Sequence, residues 1–169
     1  MPDASRTALT YRYEKWRTLS SGILETAGST FLLLVAVRYY QAGASAKALV
    51  AAGGSVGLML APWFVSRVAA SGWPVSRAAS RLAGLGALSC LVMALVPVLP
   101  LFVAGTVLAM TTSSIIIPLL TQIYQENYPE RERGKLFSRT FMIRIATAAA
   151  FSEIAGRLLT VHIAWFRWL

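Results

Sequence analysis

The sequence predicts an all-α membrane protein, a polytopic bundle of transmembrane helices, and two observations carry that reading. Between Arg81 and Glu126 no side chain is charged. As one helix this stretch would be roughly 65 Å long at 1.5 Å per residue, about twice the hydrocarbon thickness of a bilayer. It has to fold back on itself, and Val96-Pro97-Val98-Leu99-Pro100 is placed to turn it. The composition agrees: 56% of the residues are apolar and only 14% charged, too little polar surface for a soluble domain of this length.

Taken in order, residues 1–18 form a polar tail that ends in Tyr11-Arg12-Tyr13-Glu14-Lys15-Trp16-Arg17, the residue types that anchor a helix end at lipid headgroups. A first span follows over residues 19–39. A short link, Gln41 to Lys47, leads to a second span over 48–65. Arg67, Arg77 and Arg81 mark the next link, which contains the turn-forming Ser71-Gly72-Trp73-Pro74. The third span covers 82–98 and the fourth 101–124. A charged link from Glu126 to Lys135 precedes the fifth span, 137–161, the least apolar of the set because it carries Arg144, Glu153 and Arg157. Such a helix is costly against lipid, so it should pack within a bundle or beside water. Residues 162–169 close the chain with an interfacial Trp165-Phe166-Arg167-Trp168 that normally introduces another helix.

The basic residues fix an expected orientation. The tail, the second link and the fourth link hold most of them, including Arg131, Arg133, Lys135 and Arg139, against Arg38, Lys47, Arg157 and Arg167 on the other side. The positive-inside rule then puts the N-terminus in the cytoplasm and the chain in the inner (plasma) membrane. A cleaved signal peptide ending at Ala42-Gly43-Ala44 fits poorly, because Glu25 interrupts the apolar run and further spans follow. The net charge of +9 does not make a nucleic-acid surface, since the basic residues lie in gaps between spans and form no single face. Cys90 is the only cysteine and His162 the only histidine, so neither an internal disulfide nor a metal site is expected, and no cofactor is implied. No nucleophile elbow, phosphate loop or acidic cluster stands at catalytic spacing, and the only aspartate is Asp3. An enzyme is not expected.

Polar residues inside the spans are the candidate site. Gly22, Glu25, Thr26 and Ser29 share one face of the first helix. Glu25 is either a proton- or cation-transferring carboxylate, or a carboxyl that caps a neighbouring helix or pairs with an arginine. Thr111, Thr112, Ser113 and Ser114 precede Pro118 near the middle of the fourth span. They either line a polar cavity, with the proline opening the backbone, or act as interhelical hydrogen-bond glue. Glu153 and Arg157 are four apart and able to pair, in a cavity wall or structurally, whereas Arg144 falls on the opposite face of that helix and can snorkel to the headgroups. Gly53 and Gly57 form a G-x-x-x-G that says close packing. The arginines of the fourth link set topology or meet anionic lipid.

Together these pieces resemble the N-terminal part of a major facilitator superfamily transporter. The resemblance rests on a basic turn after the second helix, a hairpin of the third and fourth, and Pro118-Leu119-Leu120-Thr121-Gln122-Ile123-Tyr124-Gln125-Glu126-Asn127-Tyr128-Pro129 followed by Arg133-Gly134-Lys135. Members of that family often leave helix four with such a proline and an acidic residue, then open helix five with an Arg-Gly step. The family's Gly-x-x-x-Asp-(Arg/Lys)-x-Gly-(Arg/Lys) signature is only partly matched: Arg67 is present, but Ser66 stands at the aspartate that helps latch the inner gate. The helix-five glycine-proline motif of drug–proton antiporters is missing. The likeness covers the first five of twelve helices, which leaves the sixth and the whole second half without a counterpart.

The resemblance implies secondary transport of a small-molecule solute, with protons as a coupling partner. The chain is then expected to be a fragment that needs a missing C-terminal half or another membrane subunit to complete the pathway. Glu25, Ser29, Thr112, Ser113, Glu153 and Arg157 are the candidate substrate or coupling residues, and Arg67, Arg77, Arg133 and Arg144 the gate or topology residues. The alternative is a small non-transporting accessory or remnant protein whose polar residues face protein contacts.

Overall fold

The computed structural model describes residues 4–169, except the side chain of Ser29. Every regular element among them is helical. Helix α1 (Ala4–Thr26) runs through a π-helical turn (Ala27–Phe31) into α2 (Leu32–Arg38), so the first crossing is one rod. It is followed by α3 (Ala44–Ser71), α4 (Val75–Leu95), α5 (Leu99–Asn127) and α6 (Glu130–Val161), and the chain ends in a short 3-10 helix (Ile163–Trp168). A helix lies over each of the five expected spans, longer than expected at most ends, and three of these helices, α3, α4 and α5, have the length and apolar character of a membrane span. Residues 4–18, read as a polar tail, are helical and continuous with the first span, because Thr7, Glu14 and Thr18 find partners on α5 or on α1 itself.

The predicted turns lie where their residues demand. Gly72 closes α3 in the left-handed region (φ 66°), a conformation that glycine adopts without strain. Val96, Pro97 and Val98 make the reversal between α4 and α5, with the Val98 N–H donating to the Val96 carbonyl at 2.9 Å. Pro100 then sits in the first turn of α5, where its missing N–H costs nothing. α3 continues through Pro62 and α5 through Pro118. Pro118 therefore does not break the helix, although it leaves the Ser114 carbonyl without its helical donor.

α3, α4 and α5 are each long and apolar enough to cross a membrane, and the chain is a membrane-embedded helical bundle. Leu58, Met59, Trp63, Leu88, Leu91 and Leu95 are exposed on α3 and α4, a surface that suits lipid and not water. α5 is central: α3 and α4 both pack along it, while α6 packs along α1, and the two groups meet through α2 and the ends of α1 and α6. Against α5, α3 presents Gly53 and Gly57. A Cβ on Gly57 would lie 2.5 Å from the Thr111 carbonyl oxygen and 2.7 Å from the Ser114 Cβ. The helices are in backbone contact there, which is the packing role read from the G-x-x-x-G.

Both ends of the bundle are tied. At one, the Thr7 hydroxyl donates to the Asn127 carbonyl at 2.9 Å, joining the start of α1 to the end of α5. At the other, Phe166 of the 3-10 helix enters an aromatic cluster with Tyr39, Tyr40 and Phe102, at ring separations of 4.9 to 6.0 Å. Arg167 Nε donates to the Ala94 carbonyl at the end of α4, at 2.9 Å.

Gly57→Ala should force α3 off α5 and destabilise the bundle by about 1–3 kcal/mol, the usual penalty of overpacking. Gly54→Ala, whose added Cβ would meet only the Ser114 hydroxyl at 3.7 Å, should change little. Denaturant titration in mild detergent, followed by far-UV circular dichroism, measures both.

Candidate functional site

The densest polar cluster lies at the basic end of the bundle, between α1 and α5. The cluster begins with spacing: Glu14, Thr18, Ser21, Gly22 and Glu25 recur at three- and four-residue intervals on one stripe of α1. Glu14 is 6% exposed. One of its oxygens, Oε2, accepts from Arg17 Nε at 2.8 Å. The other accepts from the Arg17 guanidinium, the Thr18 hydroxyl and the Tyr124 hydroxyl. Arg17 also donates to the Tyr124 hydroxyl at 3.0 Å and to Ser21 at 2.8 Å.

The shell continues into the link between α5 and α6. Tyr128 is buried and stacks on Tyr124, ring centroids 5.4 Å apart and planes nearly parallel. Burial, helped by the negative charge of Glu14, pushes its phenol up to about 12, so it stays protonated across physiological pH. Arg133 donates to the Gln125 carbonyl at 3.1 Å, placing a cation on the C-terminal end of α5, where the helix dipole favours it. A cavity of about 20 Å³ remains between Glu14, Arg17, Thr18, Tyr124, Thr140 and Arg144, room for one water.

About three turns along α1 from Glu14, Glu25 meets α6. Its Oε2 lies 3.2 Å from Arg144 Nε, close enough for an ion pair but out of line for a hydrogen bond. The Arg144 guanidinium also stands over the Phe141 ring at 4.6 Å. Glu25 keeps 50% of its side chain exposed and Arg144 33%, so the pair is open on one side. Beneath it, Gly22 brings α1 against the α6 backbone: a Cβ there would lie 2.5 Å from the Arg144 carbonyl oxygen. Thr26 donates to the Ala148 carbonyl at 3.3 Å.

The other predicted residues do not join this site. Thr111 donates to the Gly53 carbonyl of α3 at 3.1 Å, and Thr112 bonds carbonyls of its own helix. These hydroxyls serve helix packing, and Ser113 is half-buried beside them. Ser29 lies in the π-helical turn, and its side chain is outside the described residues. Glu153 and Arg157 pair with each other and are 64% and 81% exposed, facing away from α1. Arg67 and Arg77 are exposed at the basic end, Arg67 over the Trp63 ring at 5.4 Å. A wider groove of about 740 Å³ between the starts of α3 and α5 is walled by Leu49, Val103, Val107 and Leu108. With Thr111 as its one polar side chain, it offers nothing to a polar solute.

The sequence reading missed Glu14, Arg17 and Tyr124, which it placed in a tail and at a helix end. The signal was available on α1, where the polar stripe through Gly22 and Glu25 extends back to Glu14. The partner on α5, 110 residues away, was not.

Glu14→Ala should destabilise the fold by about 3–5 kcal/mol, since it strands a guanidinium between helices. Tyr124→Phe should cost about 1.5–3 kcal/mol, the range for a hydrogen bond to a charged group. Equilibrium unfolding of both variants in detergent checks the order. No known family model, curated protein or solved structure matches this chain.

Proposed function

We propose that the chain contributes to the solute pathway of a secondary transporter of the major facilitator kind, inserted in the cell inner (plasma) membrane with its N-terminus in the cytoplasm. The observation that carries this reading is how the crossings pair. Counting the continuous α1–α2 rod as the first, the fourth crossing (α5) lies against the second and third, and the first lies against the fifth. Three helices followed by three more in inverted orientation would pair in this way, because second-on-fourth becomes fifth-on-first. Inverted repeats of this kind underlie many transporters, including each half of the facilitator fold. The orientation is supported by Arg12, Lys15, Arg67, Arg77, Arg81, Arg131, Lys135 and Arg139 at the end where the chain begins.

Glu25 is the coupling group in this reading. Its carboxylate is held by Arg144 on one side and open on the other. A proton or a cationic solute that takes the carboxylate releases Arg144, which loosens α1 from α6 where their backbones touch. The Glu14–Arg17–Tyr124 cluster, deeper in protein contacts, holds the first and fourth crossings together while that happens.

A second reading, a non-transporting accessory protein, draws on the outward-facing Glu153–Arg157 pair, which asks for a protein neighbour. The two separate in pyranine-loaded membrane vesicles from cells expressing the chain, where a completing half or subunit is also present, challenged with a panel of sugars, amino acids and organic cations. Transport predicts lumenal acidification with at least one solute, and a loss of at least about tenfold with Glu25→Gln, the scale of about 1.4 kcal/mol. Proton flux that no solute changes would overturn the transport reading and leave the accessory one.

A further inference from the structure

Arg144 stands between two carboxylates, and only one of them holds it. Its Nε lies 3.2 Å from Glu25 Oε2, yet that N–H is buried and donates no hydrogen bond. The same side chain borders the cavity of about 20 Å³ whose other walls include Glu14, Arg17, Thr18, Tyr124 and Thr140. Glu14 has room there for one more donor. Its Oε1 accepts from Arg17, Thr18 and Tyr124, but Oε2 accepts from Arg17 Nε alone among the described residues. A carboxylate oxygen takes about two hydrogen bonds. A guanidinium enclosed by helices needs a carboxylate in every state, because taking away the partner of such a charge is strongly destabilising. The other described acids are badly placed for it. Glu153 is on the opposite face of α6 beside Arg157, and Glu126 is exposed with Gln122. Glu130 and Glu132 stand about 18 Å or more before Arg144 along α6.

We propose that Glu14 is the second partner of Arg144, which passes through the cavity to Glu14 Oε2 when Glu25 is neutralised. The proton that neutralises Glu25 comes from water on its open side and stays on the carboxyl. Arg144 then travels about 3 Å, the width of the one water that the cavity admits. Glu14 keeps Arg17, Thr18 and Tyr124, so the tie between α1 and α5 survives the exchange. The groups facing Arg144 are Glu14, Arg17 and Glu25 from α1 and the Tyr124 hydroxyl from α5. Arg17 is a like charge, offset by the carboxylate that the two guanidiniums come to share. The tie between α1 and α6 thereby slides from Glu25 toward the basic end of the bundle. The use of this exchange rests on the transport reading, whereas the exchange itself needs no solute.

Equilibrium unfolding of the full chain in detergent tests it, with Glu25→Gln as the neutral carboxyl. In that background Arg144→Gln should still destabilise, raising the unfolding constant about tenfold or more, because Arg144 is paired with Glu14. Adding Glu14→Gln should abolish or reverse that effect, since both carboxylates are then gone. Where Glu14→Gln fails to fold, Thr140→Ile takes its place and should abolish the effect in the same way. It fills the cavity, and the Thr140 hydroxyl bonds only carbonyls of its own helix. An Arg144→Gln that is neutral or stabilising beside Glu25→Gln marks a stranded cation and would overturn the exchange. So would a destabilisation that persists undiminished in the third variant, which assigns the cation to the Phe141 ring instead. Because no flux is read, an exchange that holds in vesicle-silent protein removes the transport reading and leaves the exchange standing.

Discussion

A charge that enters hydrocarbon has to bring its partner with it, and that constraint sorts the five crossings. The three helices that meet the length and composition of a membrane span, α3, α4 and α5, have no ionised group along their shared contacts. They pack by close approach, with Gly53 and Gly57 against the α5 backbone and Ala61, Ala78, Ala79 and Leu119 in the core between them. Between the first and fifth crossings Glu25 and Arg144 meet each other, while Glu153 and Arg157 face outward. Glu14 is matched within α1 and from α5, and Glu25 is matched from α6. α1 and α6 are each poor lipid-facing helices, and each makes the other tolerable.

The same logic governs the helix ends. In a bilayer the last carbonyls of a helix have few donors to choose from. Two ends are closed by side chains from elsewhere in the chain: Thr7 and Arg133 on α5, and Arg167 on α4. Arginine suits the place, since it satisfies the carbonyl and opposes the negative end of the dipole. The C-terminal 3-10 helix is thereby anchored twice, through Arg167 and through Phe166 among Tyr39, Tyr40 and Phe102.

What could be read from the chain alone is what depends on one helix at a time. An uncharged run of more than forty residues interrupted by Val96-Pro97-Val98 must be two helices and a turn, and it is. Gly72 before Trp73-Pro74 must end a helix, and it does so with a positive φ. Spacing also separated Arg144 from Glu153 on α6, because nine residues are two and a half turns. What could not be read is which face meets which helix. Nothing local tells Glu14 that Tyr124 is its donor, or selects Arg144 for Glu25. Nor does a run of Thr111 to Ser114 reveal that its hydroxyls answer Gly53 and their own helix. The helical tail was hidden for the same reason: residues 4–18 look like a soluble lead-in until the end of α5 is laid beside them.

The two ion pairs of α6 show where this bundle is closed and where it is open. Arg144 points at α1 and is shared with Glu25, while half a turn of phase away Glu153 and Arg157 have only each other among the described residues. A helix with a satisfied charged face and an unsatisfied one belongs between two partners. α1 is the first. The second cannot be the groove between α3 and α5, whose walls are apolar and lie on other helices. An i, i+4 pair standing alone in hydrocarbon recovers only part of the solvation its two groups lose, because the remaining lone pairs and N–H groups face nothing.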